Sequence, residues 1–332
     1  MKKALVTGAY GYIGSVLCKM LSEQGYYVIG VDSDENAYDE NSDGKDYRIK
    51  YCEEFMFEDF AHSALSPDVY DLLRDNPDMP VFHLAANSLL GPSIKNPLQY
   101  FYNNAASTIS MLRWLGPNNN FIFASTAAVY KNDSRTKREY MVPEPPNNYG
   151  LSKLMVEQVL DRSYATSKIK AASFRFFNVI GAYGDAGQQP NTPHIVNQLI
   201  DKTLQKKQFV VNGNDYDTRD GTCVRDYLHV EDVCRALMHM NRILSKRRSP
   251  CHEVYNLGTK TGTSVNEIVD SFKRVTGSKV KVKVGPRRIG DPDTLIADPR
   301  KFIDETGFKY KYGPEDLDVM IKSAWDYRNG NF

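Results

Sequence analysis

The chain has 332 residues, of which 41% are hydrophobic and 25% are charged, and its formal net charge is +1. This composition is typical of a folded globular protein long enough for one large domain and a smaller one, and a nearly neutral chain does not attract nucleic acid or an anionic membrane. No apolar run is as long as a membrane span, the N-terminus lacks a signal-peptide pattern, and the five scattered cysteines lack metal-site spacing, so we expect a cytoplasmic protein with reduced thiols and no metal.

The first predicted elements are a strand, a glycine-rich turn and a helix. An apolar run over Ala4–Thr7 leads into Gly8, Gly11 and Gly14, and an amphipathic helix is expected over Tyr12–Glu23. Glycines let the backbone approach a ligand closely, and the N–H groups at a helix start bind a diphosphate. An ordinary tight turn before a helix is the alternative, since a glycine triplet alone is a weak signal.

The end of the second predicted strand favours the nucleotide interpretation. The strand over Tyr26–Val31 is followed by Asp32, eighteen positions beyond Gly14. A carboxylate at this place accepts hydrogen bonds from an adenosine ribose and repels a 2′-phosphate. The pattern therefore predicts an NAD site rather than an NADP site.

Short apolar runs alternate with longer helical patterns through the first half of the chain, which is typical of a parallel sheet with crossover helices. Further strands are predicted at Tyr47–Tyr51, Val81–Ala85, Phe121–Ser125 and Ala171–Phe177, and further helices at Pro97–Leu115 and Tyr149–Ser163. Beyond residue 178 Pro, Gly, Asn and Asp become frequent, and the predicted strands are isolated: Phe209–Val211, Val254–Leu257 and Val280–Val284.

The fold class predicted is α/β, a Rossmann-type doubly wound parallel sheet with a smaller C-terminal α/β substrate lobe. We expect residues 1–178 to form the NAD-binding domain and residues 179–332 to form most of the lobe, with some later segments returning to the first domain. Ligand pockets favour the cleft between two such lobes.

Two side chains on one predicted helix suggest proton transfer. Tyr149 and Lys153 are four positions apart, so they lie on the same helix face. An ammonium near a phenol lowers the pKa of the phenol, which can then exchange a proton with a sugar hydroxyl. Tyr164 and Lys168 have the same spacing but no glycine loop or hydroxyl run beside them, and we interpret that pair as surface.

Two hydroxyls end the predicted strand over Phe121–Ser125. Ser125 and Thr126 lie at the strand end, where ligands of open α/β sheets bind. Thr126 is therefore a candidate to share a substrate hydroxyl with Tyr149. The alternative is that both hydroxyls cap their own turn.

Nine motifs extend over nearly the whole length of the chain. They are LVTGAYGYIGS at 5–15, HLAA at 83–86, NPLQYFYNN at 96–104, FIFASTAAVY at 121–130, NNYGLSKLMVEQ at 147–158, FRFFNVIGA at 174–182, GNDYDTRDGTCVRDYLHVEDV at 213–233, NLG at 256–258 and PRRIGDP at 286–292. With these motifs the chain resembles the extended short-chain dehydrogenases/reductases, and within them the UDP-glucose 4-epimerase group of NAD-dependent nucleotide-sugar epimerases.

The resemblance implies roles for residues at matching positions. Tyr149 matches the catalytic acid/base, Lys153 its electrostatic partner and nicotinamide-ribose ligand, and Thr126 a second catalytic hydroxyl. The implied NAD contacts are Gly8, Gly11, Tyr12, Ile13, Gly14, Asp32, Asn36, Leu84, Ala85, Ala86, Asn103, Tyr149, Lys153 and Phe177. The implied contacts to the UDP-sugar are Ser125, Thr126, Tyr149, Asn178, His194, Arg225, Arg288, Asp291 and Leu295.

Some of these positions also fit plainer explanations. Arg288 could belong to a solvated basic face with the nearby lysines, and His194 and Asp291 could cap a helix or a turn. Ser88 stands where these epimerases commonly have a lysine, which removes one cation near the cofactor.

The resemblance favours epimerisation at C4 of a UDP-hexose through a transient 4-keto sugar. Ala127 and Ala128 follow Thr126 where dehydratases of the superfamily carry an Asp-Glu pair, and methyl groups transfer no protons. Some glucose/galactose-restricted relatives carry a tyrosine at the position of Leu295, so the smaller side chain predicts activity on UDP-GlcNAc and UDP-GalNAc as well as on UDP-glucose and UDP-galactose. The alternatives are a net oxidoreductase, a dehydratase, or an NAD-sensing protein without chemistry.

The resemblance also implies a homodimer. In relatives the helices that match Pro97–Leu115 and Tyr149–Ser163 pack against their symmetry copies as a four-helix bundle. The expected partners are thus a UDP-sugar and a second copy of the chain, with no nucleic acid and no membrane.

Overall fold

The computed structural model describes residues 1–33, 47–59, 67–288 and 290–332. The chain divides into two compact units. The first unit comprises Met1–Tyr130, Val142–Arg175 and Cys234–Tyr255, and the second comprises Lys131–Met141, Phe176–Val233 and Asn256–Phe332. No helix of the described residues is both long enough and apolar enough to cross a membrane.

Strands and helices alternate along the described chain. In chain order the strands are β1 (Lys2–Thr7), β2 (Tyr26–Asp32), β3 (Glu54–Phe57), β4 (Val81–His83), β5 (Asn120–Thr126), β6 (Lys170–Phe176), β7 (Asn178–Ile180), β8 (Ala182–Tyr183), β9 (Ala186–Gly187), β10 (Phe209–Asn212), β11 (Val224–His229), β12 (Cys251–Leu257), β13 (Gly262–Ser264), β14 (Val282–Gly285) and β15 (Thr294–Leu295). The α-helices are α1 (Tyr12–Glu23), α2 (Pro67–Asp75), α3 (Leu90–Lys95), α4 (Pro97–Tyr100), α5 (Ser107–Leu112), α6 (Asn148–Ser167), α7 (Ile195–Leu204), α8 (Val230–Lys246), α9 (Val265–Thr276), α10 (Arg300–Thr306) and α11 (Leu317–Arg328).

The first unit is built on a sheet to which seven of the described strands contribute, in the order β12-β6-β5-β4-β1-β2-β3. The pairs β1–β2, β1–β4, β2–β3 and β4–β5 are parallel. Because β1 lies between β2 and β4, the strand order reverses there, and ligands of such sheets bind outside the carboxyl ends of the strands at this switch point. The predicted doubly wound Rossmann-type fold is confirmed.

The strands of this sheet are nearly continuous apolar runs because helices cover both of its faces. Leu5, Ile29, Val81, Phe121 and Phe123 have no solvent exposure and form the centre of its core. Burial of this kind fixes the strand ends, and with them the loops that carry candidate site residues.

The second unit is built around β11. This strand pairs in parallel with β7 and β15 and antiparallel with β13. A separate parallel pair, β10–β14, packs over a core that α7, α9 and α11 share, with Ile200, Phe209, Ile268, Phe272 and Met320 buried in it. The unit is therefore α/β, as expected for the smaller lobe.

Two predicted strands differ from the structure. Tyr47–Tyr51 forms a 3-10 helix, and the edge strand of the sheet is β3. Tyr51 contacts α1 instead, with Lys19 Nζ lying 5.2 Å from its ring centroid. Val254–Leu257 belongs to β12 and is not isolated, since β12 adjoins β6 in the large sheet.

The helix predicted over Pro97–Leu115 contains a π-helical segment, Phe101–Ala106, between α4 and α5. The hydroxyl of Ser107 donates to the carbonyl of Asn103, and that of Thr108 donates to the carbonyl of Asn104 at 2.7 Å. Such bonds to the preceding turn bend helices, and π-helical segments are frequent at functional sites.

Candidate active site

The turn between β1 and α1 requires glycines. Gly8 has φ of +73°, and a Cβ atom there would lie 2.7 Å from the backbone nitrogen of Ala85. A Cβ atom at Gly14 would overlap the carbonyl oxygen of Gly8. Gly11 is the N-cap of α1 and provides no side-chain cap, so the first amides of the helix face outward as donors. This geometry fits a diphosphate at the helix start.

The carboxylate of Asp32 is held beside this turn. Its Oδ2 accepts a hydrogen bond from the N–H of Tyr10 at 2.8 Å, and its Oδ1 accepts one from the N–H of Ser33 at 2.8 Å. Each oxygen has a further lone pair, so the group can also accept hydrogen bonds from a ribose.

Most of the predicted NAD contacts of the first unit lie at neighbouring strand ends. Tyr12 and Ile13 are in the first turn of α1, and Leu84, Ala85 and Ala86 follow β4, where the N–H of Leu84 bonds to the carbonyl of Thr7 at 3.1 Å. Asn103 is half-buried in the π-helical segment. Asn36 lies outside the described residues. The donor set and the glycine geometry of the first unit therefore fit NAD.

A buried chain of hydrogen bonds joins β1, β4 and the π-helical segment. His83 Nδ1 lies 2.8 Å from Thr7 Oγ1, and His83 Nε2 lies 2.7 Å from Thr108 Oγ1. The single hydroxyl proton of Thr108 goes to the carbonyl of Asn104, so His83 must donate from Nε2 and accept at Nδ1. Burial, assisted by the charge of Lys153, lowers the pKa of His83 to about 3, and the ring is neutral.

The start of α6 brings Tyr149 to the end of β5. The side chain of Asn147 caps the helix by accepting the N–H of Gly150 at 2.8 Å, and a Cβ atom at Gly150 would overlap the carbonyl oxygen of Ala128. This close approach brings the hydroxyl of Tyr149 near enough to Thr126 for the two side chains to interact. Thr126 and Tyr149 therefore meet, as the sequence predicted.

The pKa values at this site differ from the expectation that Lys153 lowers the pKa of Tyr149. Burial raises the pKa of Tyr149 to about 12, although the hydrogen bond with Thr126 opposes the change. Burial lowers the pKa of Lys153 to about 7. The reason is exclusion of solvent, which disfavours the charged form of both groups, and Lys153 Nζ lies against the ring of Phe123, 4.7 Å from its centroid.

The structure gives Ser125 a partner within the protein, and its contact with substrate stays a prediction. Its hydroxyl donates to the carboxylate of Glu157, and both side chains are buried. Arg175 Nη2 lies 2.6 Å from the same carboxylate, and Arg175 Nη1 donates to the hydroxyl of Tyr130 at 2.8 Å. Sequence reasoning missed Glu157 and Arg175; the available signal was the spacing of four between Lys153 and Glu157.

A cluster in the second unit brings together four of the predicted UDP-sugar contacts. Arg225 is opposite Leu295 in the pairing of β11 with β15, and its Nη2 lies 3.7 Å from Asp291 Oδ1. The N–H of Asp291 bonds to the carbonyl of Arg288, so one turn carries both groups. Two arginines close together suit a diphosphate because each guanidinium can pair with two oxygens.

The remaining predicted contacts of the second unit lie at element ends. Phe177 is buried, and Asn178 at the start of β7 is opposite Tyr227 in the pairing of β7 with β11. His194 is the N-cap of α7, but its side chain makes no capping bond, and it lies close enough to Arg288 for the two groups to interact. Side-chain capping therefore does not explain His194.

Comparison with known proteins identifies the family. Residues 4–258 match the NAD dependent epimerase/dehydratase family. The chain belongs to this family. It is similar to the UDP-glucose 4-epimerase of Lactobacillus helveticus, with 35% identity over 99% of this chain and 98% of that protein.

Solved structures of family members have the same fold. A UDP-glucose-4-epimerase from Stenotrophomonas maltophila, with bound NAD and formylated UDP-arabinopyranose, is 31% identical with a TM-score of 0.87 over 99% of this chain and 98% of that chain. The UDP-Glc/GlcNAc 4-epimerase from Campylobacter jejuni is 32% identical with a TM-score of 0.77 over 99% of this chain and 100% of that chain. The resemblance inferred from the sequence is confirmed.

Proposed function

We propose that this protein is an NAD-dependent epimerase that interconverts UDP-glucose and UDP-galactose at C4. The observation that carries the proposal is the place of Tyr149 on α6, near enough to Thr126 at the end of β5 for the two side chains to interact, with Lys153 one turn further along α6. Family membership and the relatives described above support an isomerase with NAD as its cofactor, and these two predictions are confirmed.

The first unit has the groups to hold the cofactor. The glycine turn from Gly8 to Gly14 would receive the diphosphate, Asp32 the adenosine ribose, and Lys153 the ribose of the nicotinamide end. When bound, NAD supplies a hydride acceptor and donor and a positive charge at the nicotinamide ring.

Tyr149 is the proposed acid and base. Its oxygen would take the proton from the C4 hydroxyl of the sugar as C4 is oxidised, and return it when the 4-keto sugar is reduced on its opposite face. With a pKa raised to about 12 by burial, the phenol needs a cation nearby to lose its proton at neutral pH. Bound NAD would supply this charge at the nicotinamide ring, and Lys153 on the same helix face would add to it when protonated. Thr126, which lies near Tyr149, would orient the sugar oxygen.

The residues after Thr126 favour epimerisation over dehydration. The N–H of Ala128 bonds to Thr126 Oγ1 at 3.1 Å, so the turn closes on the threonine itself. Ala127 and Ala128 provide no second acid or base with which to expel water from a keto sugar. Return of the hydride to the sugar is the simplest outcome for such a site.

The substitution Tyr149→Phe tests this mechanism. We expect turnover of UDP-glucose to fall at least roughly 100-fold because the proton acceptor is lost, with NAD still bound. Product separation by epimer measures turnover, and mass spectrometry measures bound nucleotide. Tyr164→Phe is the matched control, since Tyr164 has a lysine at the same spacing and should be silent.

The alternatives give different results in the same assay. Retention of turnover in Tyr149→Phe contradicts the assigned role. An NAD-sensing protein would bind NAD and turn over no sugar, and a net oxidoreductase would produce a steady rise in absorbance of reduced nicotinamide.

We infer that the enzyme also accepts UDP-GlcNAc and UDP-GalNAc. Leu295 is half-buried beside Arg225, and its side chain leaves more room at the C2 substituent of the sugar than a tyrosine would. The similar Campylobacter jejuni enzyme, a UDP-Glc/GlcNAc 4-epimerase, supports this substrate range.

The prediction for the sugar is tested with Leu295→Tyr. We expect this variant to keep turnover of UDP-glucose within a few-fold and to lose at least roughly tenfold on UDP-GlcNAc, because the larger ring fills the space for the acetamido group. Both rates are measured for parent and variant. A parent that turns over UDP-glucose but not UDP-GlcNAc contradicts the inference.

We also infer a homodimer in the cytoplasm. Apolar side chains of α3, the α4–α5 segment and α6 are exposed: Ile94, Leu98, Tyr102, Leu151 and Met155. A second copy of the same surface would cover them, as in a four-helix bundle. All five cysteines are thiols rather than disulfides, which suits a reducing compartment.

A further inference from the structure

Tyr216 is a buried tyrosine of the second unit with an unpaired hydroxyl. The residue is 4% exposed, and its hydroxyl oxygen has no hydrogen-bond partner among the described residues. Buried polar groups are nearly always paired, because desolvation without a bond is unfavourable. An unpaired buried hydroxyl is therefore a group that a ligand can complete where other ligand-binding groups lie beside it.

The ring of Tyr216 is fixed in place. The guanidinium of Arg287 lies 4.2 Å from the ring centroid, and Arg287 Nε is held 2.7 Å from Asp215 Oδ1. Gly213 has φ of +84°, and a Cβ atom there would lie 2.7 Å from the Tyr216 ring. The backbone N–H of Tyr216 bonds to the carbonyl of Gly221 at 2.9 Å. The hydroxyl thus cannot swing to another partner.

Two charged groups that act on the Tyr216 hydroxyl, Arg225 and Asp291, belong to the cluster of Arg225, Arg288, Asp291 and Leu295, which we call the nucleotide cluster. Burial and the Asp291 carboxylate raise the pKa of Tyr216, whereas Arg225 and Arg287 oppose this change. Arg287 lies 3.8 Å from Asp293, within the same turn as Asp291. The phenol is therefore protonated at neutral pH and available as a donor beside Arg225 and Asp291.

We propose that the Tyr216 hydroxyl donates a hydrogen bond to an oxygen of the substrate's nucleoside diphosphate. This inference rests on the proposed function, because it assigns Tyr216 to the site in which Arg225, Arg288 and Asp291 hold UDP. A phosphate or ribose oxygen of the substrate would accept the hydrogen bond for which the described residues provide no acceptor. Arg287 stays stacked on the face of the Tyr216 ring. Tyr216 is then a substrate-binding residue and takes no part in proton transfer at C4.

The substitution Tyr216→Phe tests the proposal because it removes only the hydroxyl. Calorimetric titration of the full-length, NAD-loaded protein with UDP should show roughly tenfold weaker binding than the parent. KM for UDP-glucose should rise by a similar factor while kcat stays within twofold. The melting temperature without UDP should stay equal or rise, since an unpaired buried group has been removed.

Tyr310→Phe is the matched control. Tyr310 is the other tyrosine of the described residues whose buried hydroxyl has no hydrogen-bond partner, and it also lies in the second unit. The carboxylates that act on Tyr310 are Asp226, Asp232 and Glu139, none of which belongs to the nucleotide cluster. We therefore expect UDP to bind Tyr310→Phe as it binds the parent.

Each outcome of the titration decides the proposal. Unchanged UDP affinity in Tyr216→Phe overturns it and leaves the proposed function standing. Equal weakening in Tyr310→Phe also overturns it, since the loss then comes from general loosening of the unit. A parent that binds no UDP and turns over no UDP-sugar overturns the proposed function, and this inference with it.

Discussion

Glu157 joins α6 to the strand that ends in Thr126. Its carboxylate receives the hydroxyl of Ser125 and the guanidinium of Arg175, and the Glu157 and Arg175 side chains are each 4% exposed. The buried ion pair with Arg175 and the hydrogen bond from Ser125 together hold the Glu157 carboxylate in one position. Because Tyr149 and Lys153 lie on the same helix, this contact sets where they stand relative to the end of β5.

Ser125→Ala should therefore affect the chemical step more than binding. Glu157 keeps Arg175, so the fold persists, but α6 loses one contact to β5 and Tyr149 moves relative to the sugar. We expect kcat for UDP-glucose to fall roughly tenfold, since small misplacements cost up to about 100-fold, with KM within twofold. Steady-state kinetics separate the two constants.

Ser173→Ala controls for the loss of a buried serine hydrogen bond. Ser173 lies on β6 and bonds to His252 at 2.8 Å rather than to a residue of α6, so kcat should not change. A rise in KM at unchanged kcat in Ser125→Ala would instead make Ser125 a direct contact of the substrate.

Single residues were predicted where local spacing carries the signal. A spacing of four placed Tyr149 and Lys153 on one helix face, and a strand-ending hydroxyl placed Thr126 beside them. The pKa of Tyr149 could not be predicted in this way, because burial depends on residues from several elements. Arg175 was missed for the same reason, since its contact with Glu157 requires β6 to lie beside β5.

At the scale of elements, the β1–α1 turn depends on contact between backbones. A Cβ atom at Gly14 would overlap the carbonyl oxygen of Gly8, and that oxygen also accepts the N–H of Gly11 at 3.0 Å. The turn cannot move the Gly8 carbonyl away from residue 14 without breaking its hydrogen bond to Gly11, the N-cap residue of α1. The glycines of this motif are therefore required by the protein itself as well as by a ligand.

Gly14→Ala should damage the turn. Overpacking of this kind costs about 1–3 kcal/mol, so we expect a lower melting temperature together with at least roughly tenfold weaker NAD binding. Thermal unfolding and NAD titration measure the two effects. Gly91→Ala in α3 is the control, because a Cβ atom there meets no atom within 4 Å; equal losses in both variants would contradict the explanation.

Elements were predicted well where periodicity alone determines them, as in α1 and in β1, β2, β4, β5 and β6 of the large sheet. The 3-10 helix at Tyr47–Tyr51 and the π-helical segment at Phe101–Ala106 were not. Both depend on side-chain contacts: aromatic packing on α1 in one case, and hydroxyl bonds to backbone carbonyls in the other. Hydrophobic patterns do not record such contacts.

At the scale of the molecule, an apolar surface remains exposed on the first unit. Leu98 is 80% exposed, Ile94 65% and Tyr102 56%, all within α3 and the α4–α5 segment. Single exposed apolar residues are common, but a contiguous group is typical of an interface. This surface is the basis of the proposed homodimer.

Leu98→Asp should weaken the dimer. Because the dimer is two-fold symmetric, each copy places a charged Asp in the interface where the parent has Leu98. We therefore expect the dimer dissociation constant to rise at least roughly 100-fold. Sedimentation over a concentration series measures this constant. Val319→Asp on α11, where Val319 is 52% exposed, should leave it unchanged. A monomeric parent would contradict the proposal.

The fold class and the family were predicted from the sequence because alternating strands and helices, glycine spacing and long motifs extend over almost the whole chain. The grouping of residues into units was harder to predict. Lys131–Met141 and Cys234–Tyr255 each belong to one unit while the residues before and after them in the sequence belong to the other. This assignment depends on contacts between elements that are distant in sequence, such as the pairing of β12 with β6.

The place of β12 has a consequence for biosynthesis. This strand completes the large sheet beside β6. It is translated only after Phe176–Val233, a long segment of the second unit. Until then the nascent chain carries β6 as an open edge, which is a template for pairing with other chains. The sheet of the first unit is therefore completed late in translation, and the open edge of β6 can pair with other strands until then.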